Sequence, residues 1–289
     1  MSITQWILSG AALGAIYSLV AFGYAITWTT SRTMNFSQGQ AVMLGAVLAW
    51  AALAVLRLPL PLAILGAVAV MVPFGLLVER FAVRPFRRTG PTWLISTVAL
   101  GILLENAVLA LFGKDVQPFP ALVGERPLQL LGAGVYPQEL LIPVAAVALL
   151  GGFELLRQRT MVGRQMRAVA YDETTATLMG IPAERMVALG YVLASVIAAV
   201  GGVIVAPVTF VSATMGTVIG LKGFVVAIVG GLESGWGILL VGLLYGVLEQ
   251  AVSATIGTGA RDAVGFGLAI LVLALRPSGL LGRATLRRV

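Results

Sequence analysis

Residues 186–212 read MVALGYVLASVIAAVGGVIVAPVTFVS, a run of 27 without one charged side chain. At a helical rise of 1.5 Å, roughly 20 apolar residues cross the ~30 Å hydrocarbon core of a bilayer, so this run is long enough to span it. Working outward, apolar runs precede it at Trp6–Trp28, Ala41–Leu56, Pro61–Val78, Pro91–Phe112 and Glu139–Leu156. Others follow at Leu221–Leu232, Gly235–Ala254 and Ala263–Leu275. Leu221–Leu232 is short and rich in glycine, which leaves it a tilted span, a re-entrant piece or half of a broken helix. The expected fold is all-α: a polytopic membrane protein with eight or nine transmembrane helices, forming a single transmembrane domain over residues 1–289.

Composition agrees. Of 289 residues 59% are hydrophobic and 11% charged, against about 25% charged in a soluble domain, and the mean hydropathy is +0.99. There is no cysteine and no histidine, which removes disulfides, thiolate and imidazole metal sites and the usual catalytic triads. No cofactor is expected. The net charge of +7 could suit nucleic acid, but the basic residues sit in short connections between apolar runs, where membrane topology accounts for them. Met1 to Gln5 lack the positive start of a secretory signal, so the first run is expected to be retained as a span.

Orientation follows from arginine and lysine, whose loops resist translocation. Glu79–Gly90 carries Arg80, Arg84, Arg87 and Arg88; the segment 157–185 carries five arginines; the tail from Arg276 adds Arg283, Arg287 and Arg288. The connection Gly113–Gln138 has only Lys114 and Arg126, offset by Asp115 and Glu125, and should lie outside. If all nine runs cross, the N-terminus is outside, the C-terminus cytoplasmic, Arg32 inside and Arg57 outside. Glycines four apart at Gly10 and Gly14, Gly216 and Gly220, and Gly242 and Gly246 allow close helix packing, although glycine is common in membrane helices anyway.

A nucleotide-binding P-loop needs glycines followed by Lys and then Ser or Thr. The only lysines, Lys114 and Lys222, precede Asp115 and Gly223, so energy must come from an ion gradient or another subunit. Intramembrane charges are the first candidates for a relay or a polar path, here Glu105, Lys222 and Glu249. Lys222 could instead pair with either glutamate as structural glue. The connection Ser31 to Gln40 is polar but nearly uncharged: Ser37 with Gln40 reads as a capping box for the second helix, while Asn35, Phe36, Ser37, Gln38 and Gly39 could line a conduit or gate.

The segment 157–185 is expected to fold. Gly163 to Ala170 reads as a short helix with Arg164 and Arg167 on one side. Asp172 then caps a second piece, Glu173 to Met179, which Gly180 and Pro182 end. Ala176 and Met179 give this piece an apolar edge. Such an element suits docking onto a partner protein; the competing reading is a basic anchor along the headgroups.

Gly14-Ala15-Ile16-Tyr17-Ser18-Leu19-Val20-Ala21-Phe22-Gly23, Met34-Asn35-Phe36-Ser37-Gln38-Gly39 and Leu44-Gly45-Ala46 resemble the high-affinity branched-chain amino acid ABC transporter permeases, most closely their shorter, H-type subunit. Leu221-Lys222-Gly223-Phe224, Gly230-Gly231-Leu232 and Arg276-Pro277-Ser278-Gly279-Leu280-Leu281-Gly282 match as well. The resemblance covers essentially the whole chain. It implies a permease subunit of a bacterial cytoplasmic (inner) membrane importer, paired with a second, longer permease paralogue. Two ATP-binding-cassette ATPase subunits would bind inside and a solute-binding protein outside. Gly163, Arg164, Arg167, Ala168, Asp172, Ala176, Gly180 and Ile181 would form the ATPase-coupling segment. Related permeases carry urea or short amides, and nothing in the residues separates those cargoes. An autonomous secondary transporter or channel using Glu105, Lys222 and Glu249 is the alternative from another class; a membrane enzyme lacks an activated nucleophile, a histidine base or a metal cluster.

Overall fold

A computed structural model describes residues 3–87, 90–124, 126–130, 133–276 and 279–281. Arg88, Glu125, Arg283, Arg287 and Arg288, which entered the charge reading, lie outside the described residues, as do Met1, Pro277, Ser278 and Gly282 of the motifs above.

Each apolar run forms a helix, usually longer than the run itself. In chain order these are α1 (Ile3–Ser31), α2 (Gln38–Ala54), α3 (Leu60–Leu77, continuing as a π-helical turn Val78–Val83), α4 (Thr92–Phe112) and α5 (Pro137–Arg159). Two short helices follow, α6 (Met161–Tyr171) and α7 (Glu173–Leu178), then α8 (Ala183–Thr209), α9 (Met215–Gly230), α10 (Gly235–Thr255) and α11 (Arg261–Leu275). Seven of the helical segments are long and apolar enough to cross a membrane, and α2 and α9 are shorter apolar helices. The run at Leu221–Leu232 is thus the second half of α9, whose 16 residues extend about 24 Å. A hairpin, β1 (Leu128–Leu130) with β2 (Ala133–Val135) in antiparallel register, interrupts the otherwise helical chain between α4 and α5.

The centre of the bundle is α1, which packs most extensively against α10 and also against α8 and α9. Lipid supplies no hydrophobic drive between helices, so close backbone approach has to hold this seam. The glycines provide it. A Cβ on Gly14 would stand 2.1 Å from the Gly242 carbonyl oxygen, and one on Gly246 2.2 Å from the Gly14 nitrogen. The same holds for Gly202 of α8, which abuts the Val42 carbonyl of α2. In contrast α4, α5 and α11 are peripheral, presenting Leu103, Leu111, Val144 and Ile270 outward. That outward apolar surface is the one a bilayer covers.

The connections sort to two ends. At one end Arg32 bonds the Ala170 carbonyl and Glu233, Arg84 reaches Glu184, Arg87 reaches Glu173, and Leu280 donates its amide to the Val229 carbonyl. This end gathers most of the described arginines. At the other end Ser9 of α1 meets Glu139 of α5, and Gln117 pairs with Val211.

Candidate functional site

Where α1 ends, the chain turns back into the protein. Arg32 takes a left-handed conformation (φ +56°), uncommon for a residue with a Cβ, and Thr33 then hydrogen-bonds the buried Tyr191 hydroxyl at 2.7 Å. Asn35 Oδ1 accepts from the Ser37 amide at 3.2 Å and the Ser37 hydroxyl at 2.6 Å. The expected capping box is therefore absent: the Ser37 hydroxyl is spent on Asn35 and makes no cap to α2. Gln38 lies over Gly23, where a Cβ would meet its Nε2 at 1.8 Å, and donates to the Ala194 carbonyl at 3.1 Å. Asn35, Ser37 and Gln38 are buried inside the bundle. Gly39 packs on Gly216 and Gly220 of α9.

This folded entry pushes Phe36 outward into a cavity of about 400 Å³ between α1, α2, α4 and α9. The Phe36 amide is held by the Thr97 hydroxyl at 3.2 Å. One wall is aromatic. Tyr24, Phe36 and Phe224 stand with ring centroids 5.0–6.2 Å apart, and Trp93 stacks on Phe36. The other wall is a chain of polar groups: Gln40 Nε2 donates to Thr217 Oγ1 at 3.1 Å, and the Thr217 hydroxyl donates to Glu105 Oε2. Thr217, Gly220, Leu221 and Phe224 line the cavity at the spacing of one helix face. Of the candidate path residues, Phe36 and Glu105 line this cavity; Asn35, Ser37, Gln38, Gly39, Lys222 and Glu249 do not. Tyr24, Thr217 and Phe224 were not among the path candidates and Gln40 was read only as a capping partner, because single polar or aromatic residues in or beside apolar runs carry no distinguishing pattern.

Lys222 points off the other face of α9. Its ammonium meets Glu249 Oε1 at 2.7 Å and Asp262 Oδ1 at 2.8 Å. The Arg261 guanidinium doubles onto Glu249 Oε2 at 2.8 and 2.9 Å, and the Tyr17 hydroxyl donates to the same oxygen at 2.8 Å. Glu249 is fully buried and Lys222 nearly so. Two cations face two anions, a neutral cluster tying α1, α9, α10 and α11 together. Lys222 pairs with Glu249, not with Glu105. Among the described residues no group of three carboxylates gathers to hold a metal.

At the basic end, α6 folds sharply back on α5. A Cβ at Gly163 would lie 2.4 Å from Arg157 Cα and 2.5 Å from the Leu156 and Arg157 carbonyls, so only glycine permits this elbow. Thr160 caps α6 by accepting from the Gly163 amide. Arg164 and Arg167 face solvent, and Ala168 is half-buried. Asp172 caps α7, taking the Thr175 hydroxyl at 2.6 Å and the Thr175 amide at 3.1 Å. These bonds, the hydroxyl first, hold its carboxyl below the usual range. Gly180 (φ +83°) ends α7, donating to the Thr177 carbonyl while Ile181 donates to that of Ala176, the pairing of a Schellman motif. Ala176 is buried against Val83 and Val187, but Met179 is exposed, as are Leu178 and Tyr171. The expected apolar edge is thus split: Ala176 anchors the segment inward and Met179 belongs to an outward apolar patch. Arg84 braces the corner, bidentate to the buried Glu79, and those hydrogen bonds hold the Arg84 guanidinium above its ordinary pKa.

The family described as branched-chain amino acid transport system, permease component, matches residues 6–275. The chain is 33% identical to the high-affinity branched-chain amino acid transport system permease protein BraD of Pseudomonas aeruginosa, covering 99% of this chain and 97% of that one. It is 29% identical to the high-affinity permease protein LivH of Escherichia coli, with the same coverage. A probable branched-chain amino acid transport permease protein of Methanocaldococcus jannaschii is 24% identical over 96% of this chain and 92% of its own.

Proposed function

We propose, from the premise that this chain belongs to the permease-component family of branched-chain amino acid transport systems, that it is a membrane-spanning permease subunit of an ATP-driven importer of branched-chain amino acids. The cavity beside Phe36 and Glu105 is its share of the translocation path. A second, longer permease closes that cavity, which opens on the flank of α4 and α9 beside the exposed Ile102 and Leu221. A solute-binding protein delivers cargo at the end carrying the hairpin. The basic end faces the cytoplasm, in keeping with the retention of arginine-rich loops there. Two ATPase subunits bind the permease pair at this end, one of them on Tyr171, Leu178 and Met179 beside Arg164 and Arg167.

The observation that carries this reading is the α6–α7 segment. A plain headgroup anchor needs neither a glycine elbow nor a Schellman stop, whereas a part that transmits motion must be rigid and pinned to the helices it moves. Ala176, Arg87–Glu173 and Arg32–Ala170 pin it.

Co-reconstitution of the chain with the second permease, the ATPases and a leucine-loaded binding protein tests it. Leucine uptake into proteoliposomes should require ATP and all components. Gradient-driven uptake by this chain alone would replace the reading with an autonomous secondary transporter.

A further inference from the structure

We infer that Glu105 is the group in this chain that selects cargo by its ammonium, so that the path admits amino acids in preference to neutral amides or carboxylates of the same shape. The inference rests on the cavity being the translocation path.

Glu105 is the fourteenth of the 21 residues of α4, about 20 Å along the helix from Thr92, well inside the apolar span. A carboxylate at such depth is disfavoured against lipid and is retained where it faces a polar path or a partner. Among the described residues no cation pairs with it. Lys222, the intramembrane cation nearest in sequence to the cavity-lining Leu221, is turned away and taken by Glu249 and Asp262. Glu105 is the only charged side chain among the described residues lining the cavity. The Thr217 hydroxyl, itself receiving the Gln40 amide, fixes Glu105 Oε2. Oε1 accepts nothing from the described residues, and a carboxylate oxygen offers two lone pairs.

Part of the remaining surface suits the aliphatic side chain of a branched-chain amino acid. Phe36, Phe224 and Ile102 offer apolar area for the aliphatic side chain. A charge-assisted hydrogen bond from an ammonium to a fixed carboxylate is roughly twice as strong as a neutral one. A site built for it rejects a cargo lacking the donor, because its own charge is then left unpaired.

The absence of cysteine from the chain allows a direct test. A single cysteine is introduced at the cavity wall by Ile102→Cys in the assembled transporter, and its maleimide labelling is followed on this chain. Leucine and 3-methylbutylammonium, which carry the ammonium, should slow labelling at least threefold, while 4-methylpentanoate, which lacks it, should not. Adding Glu105→Gln should abolish the protection by both ammonium compounds. In leucine uptake, Glu105→Gln should lower turnover by about tenfold or more, with Glu105→Asp restoring part of it and ATP hydrolysis stimulated by the binding protein retained in both. Equal protection by 4-methylpentanoate, or protection unchanged in Glu105→Gln, overturns the role given to Glu105. Leucine uptake by the Ile102→Cys transporter is also compared before and after complete labelling. If uptake persists, the cavity is not the path, and that separate result overturns the reading on which this inference stands.

Discussion

Glu249 is a fully buried carboxylate whose two oxygens are divided between Lys222 on one side and Arg261 with Tyr17 on the other. Breaking a buried pair by removing one partner leaves an uncompensated charge and costs about 3–5 kcal/mol. Lys222→Met should therefore destabilise the protein by about 3 kcal/mol, the lower end, because Arg261 still compensates Glu249. Adding Glu249→Gln should recover part of that loss, giving a coupling of at least about 1 kcal/mol in a double-mutant cycle of thermal unfolding in detergent. Additive losses would mean the pair is not the glue the geometry describes. The same Lys222→Met leaves the cavity lining untouched, so transport per folded molecule should hold. The three intramembrane charges were legible in the sequence, and so was a pairing of Lys222 with one of the two glutamates, but not which one. Which face of α9 each residue takes depends on packing, and Arg261 and Asp262 fall between two apolar runs because they open a helix rather than lie inside one.

The α6–α7 segment owes its shape to a few positions that admit no side chain or no other conformation. Gly180 at φ +83° lies where a β-branched residue is strained by roughly 1–2 kcal/mol, so Gly180→Val should unravel the end of α7 without disturbing the membrane helices. Hydrogen exchange should rise in residues 173–181 only, and ATP hydrolysis should uncouple from uptake. Arg167→Glu, exposed beside the docking patch, should weaken ATPase binding while leaving exchange unchanged. Normal coupled uptake in both variants would remove the coupling role. The Asp172 cap has a pH signature. Its carboxyl is held below the usual range by Thr175, so the cap's contribution is full above the unfolded pKa and is lost only as pH falls through the lowered folded value. Protection factors in α7, exchange corrected for its intrinsic pH dependence, should match at neutral and mildly acidic pH, and Asp172→Ala should lower them at both. Cap, stop and helices here could be read from the sequence because local rules govern them. The outward turn of Met179 could not, since which side meets the bundle is set by Val83 and Val187 from distant segments. The Ser37 cap failed for a related reason: Asn35, two residues earlier, took the hydroxyl first.

Across the whole molecule, the apolar runs announced how many helices there are but not how they are arranged. In a bilayer an apolar residue serves equally against lipid or against another helix, so nothing in the composition of α1 marks it as the central helix and α11 as peripheral. The glycine pairs were the one readable hint, and Gly14 with Gly242 and Gly246 locates the seam. Sidedness is the other global property, and it rests on charge. The ends of α1 and α3 that carry Arg32 and Arg84 are tied by ion pairs and a backbone bond to Glu233 after α9, to Ala170 of α6 and to Glu184 of α8, and Leu280 joins them through the Val229 carbonyl. Gln117, Val211 and Glu139 mark the opposite end. The short helices α2 and α9, of 17 and 16 residues, do not break this alternation, because their starts pack together at Gly39 and Gly216 inside protein rather than in lipid. Single cysteines at Leu178 and Thr160 should be labelled by a membrane-impermeant maleimide only after the inner face is opened. Cysteines at Val116 and Tyr136, both exposed at the opposite end, should be labelled in intact cells or spheroplasts. Labelling of Leu178→Cys from outside would invert the molecule and place the α6–α7 segment beyond reach of any cytoplasmic ATPase. Labelling of Leu178→Cys and Val116→Cys from the same face would instead show that one helix between them does not cross.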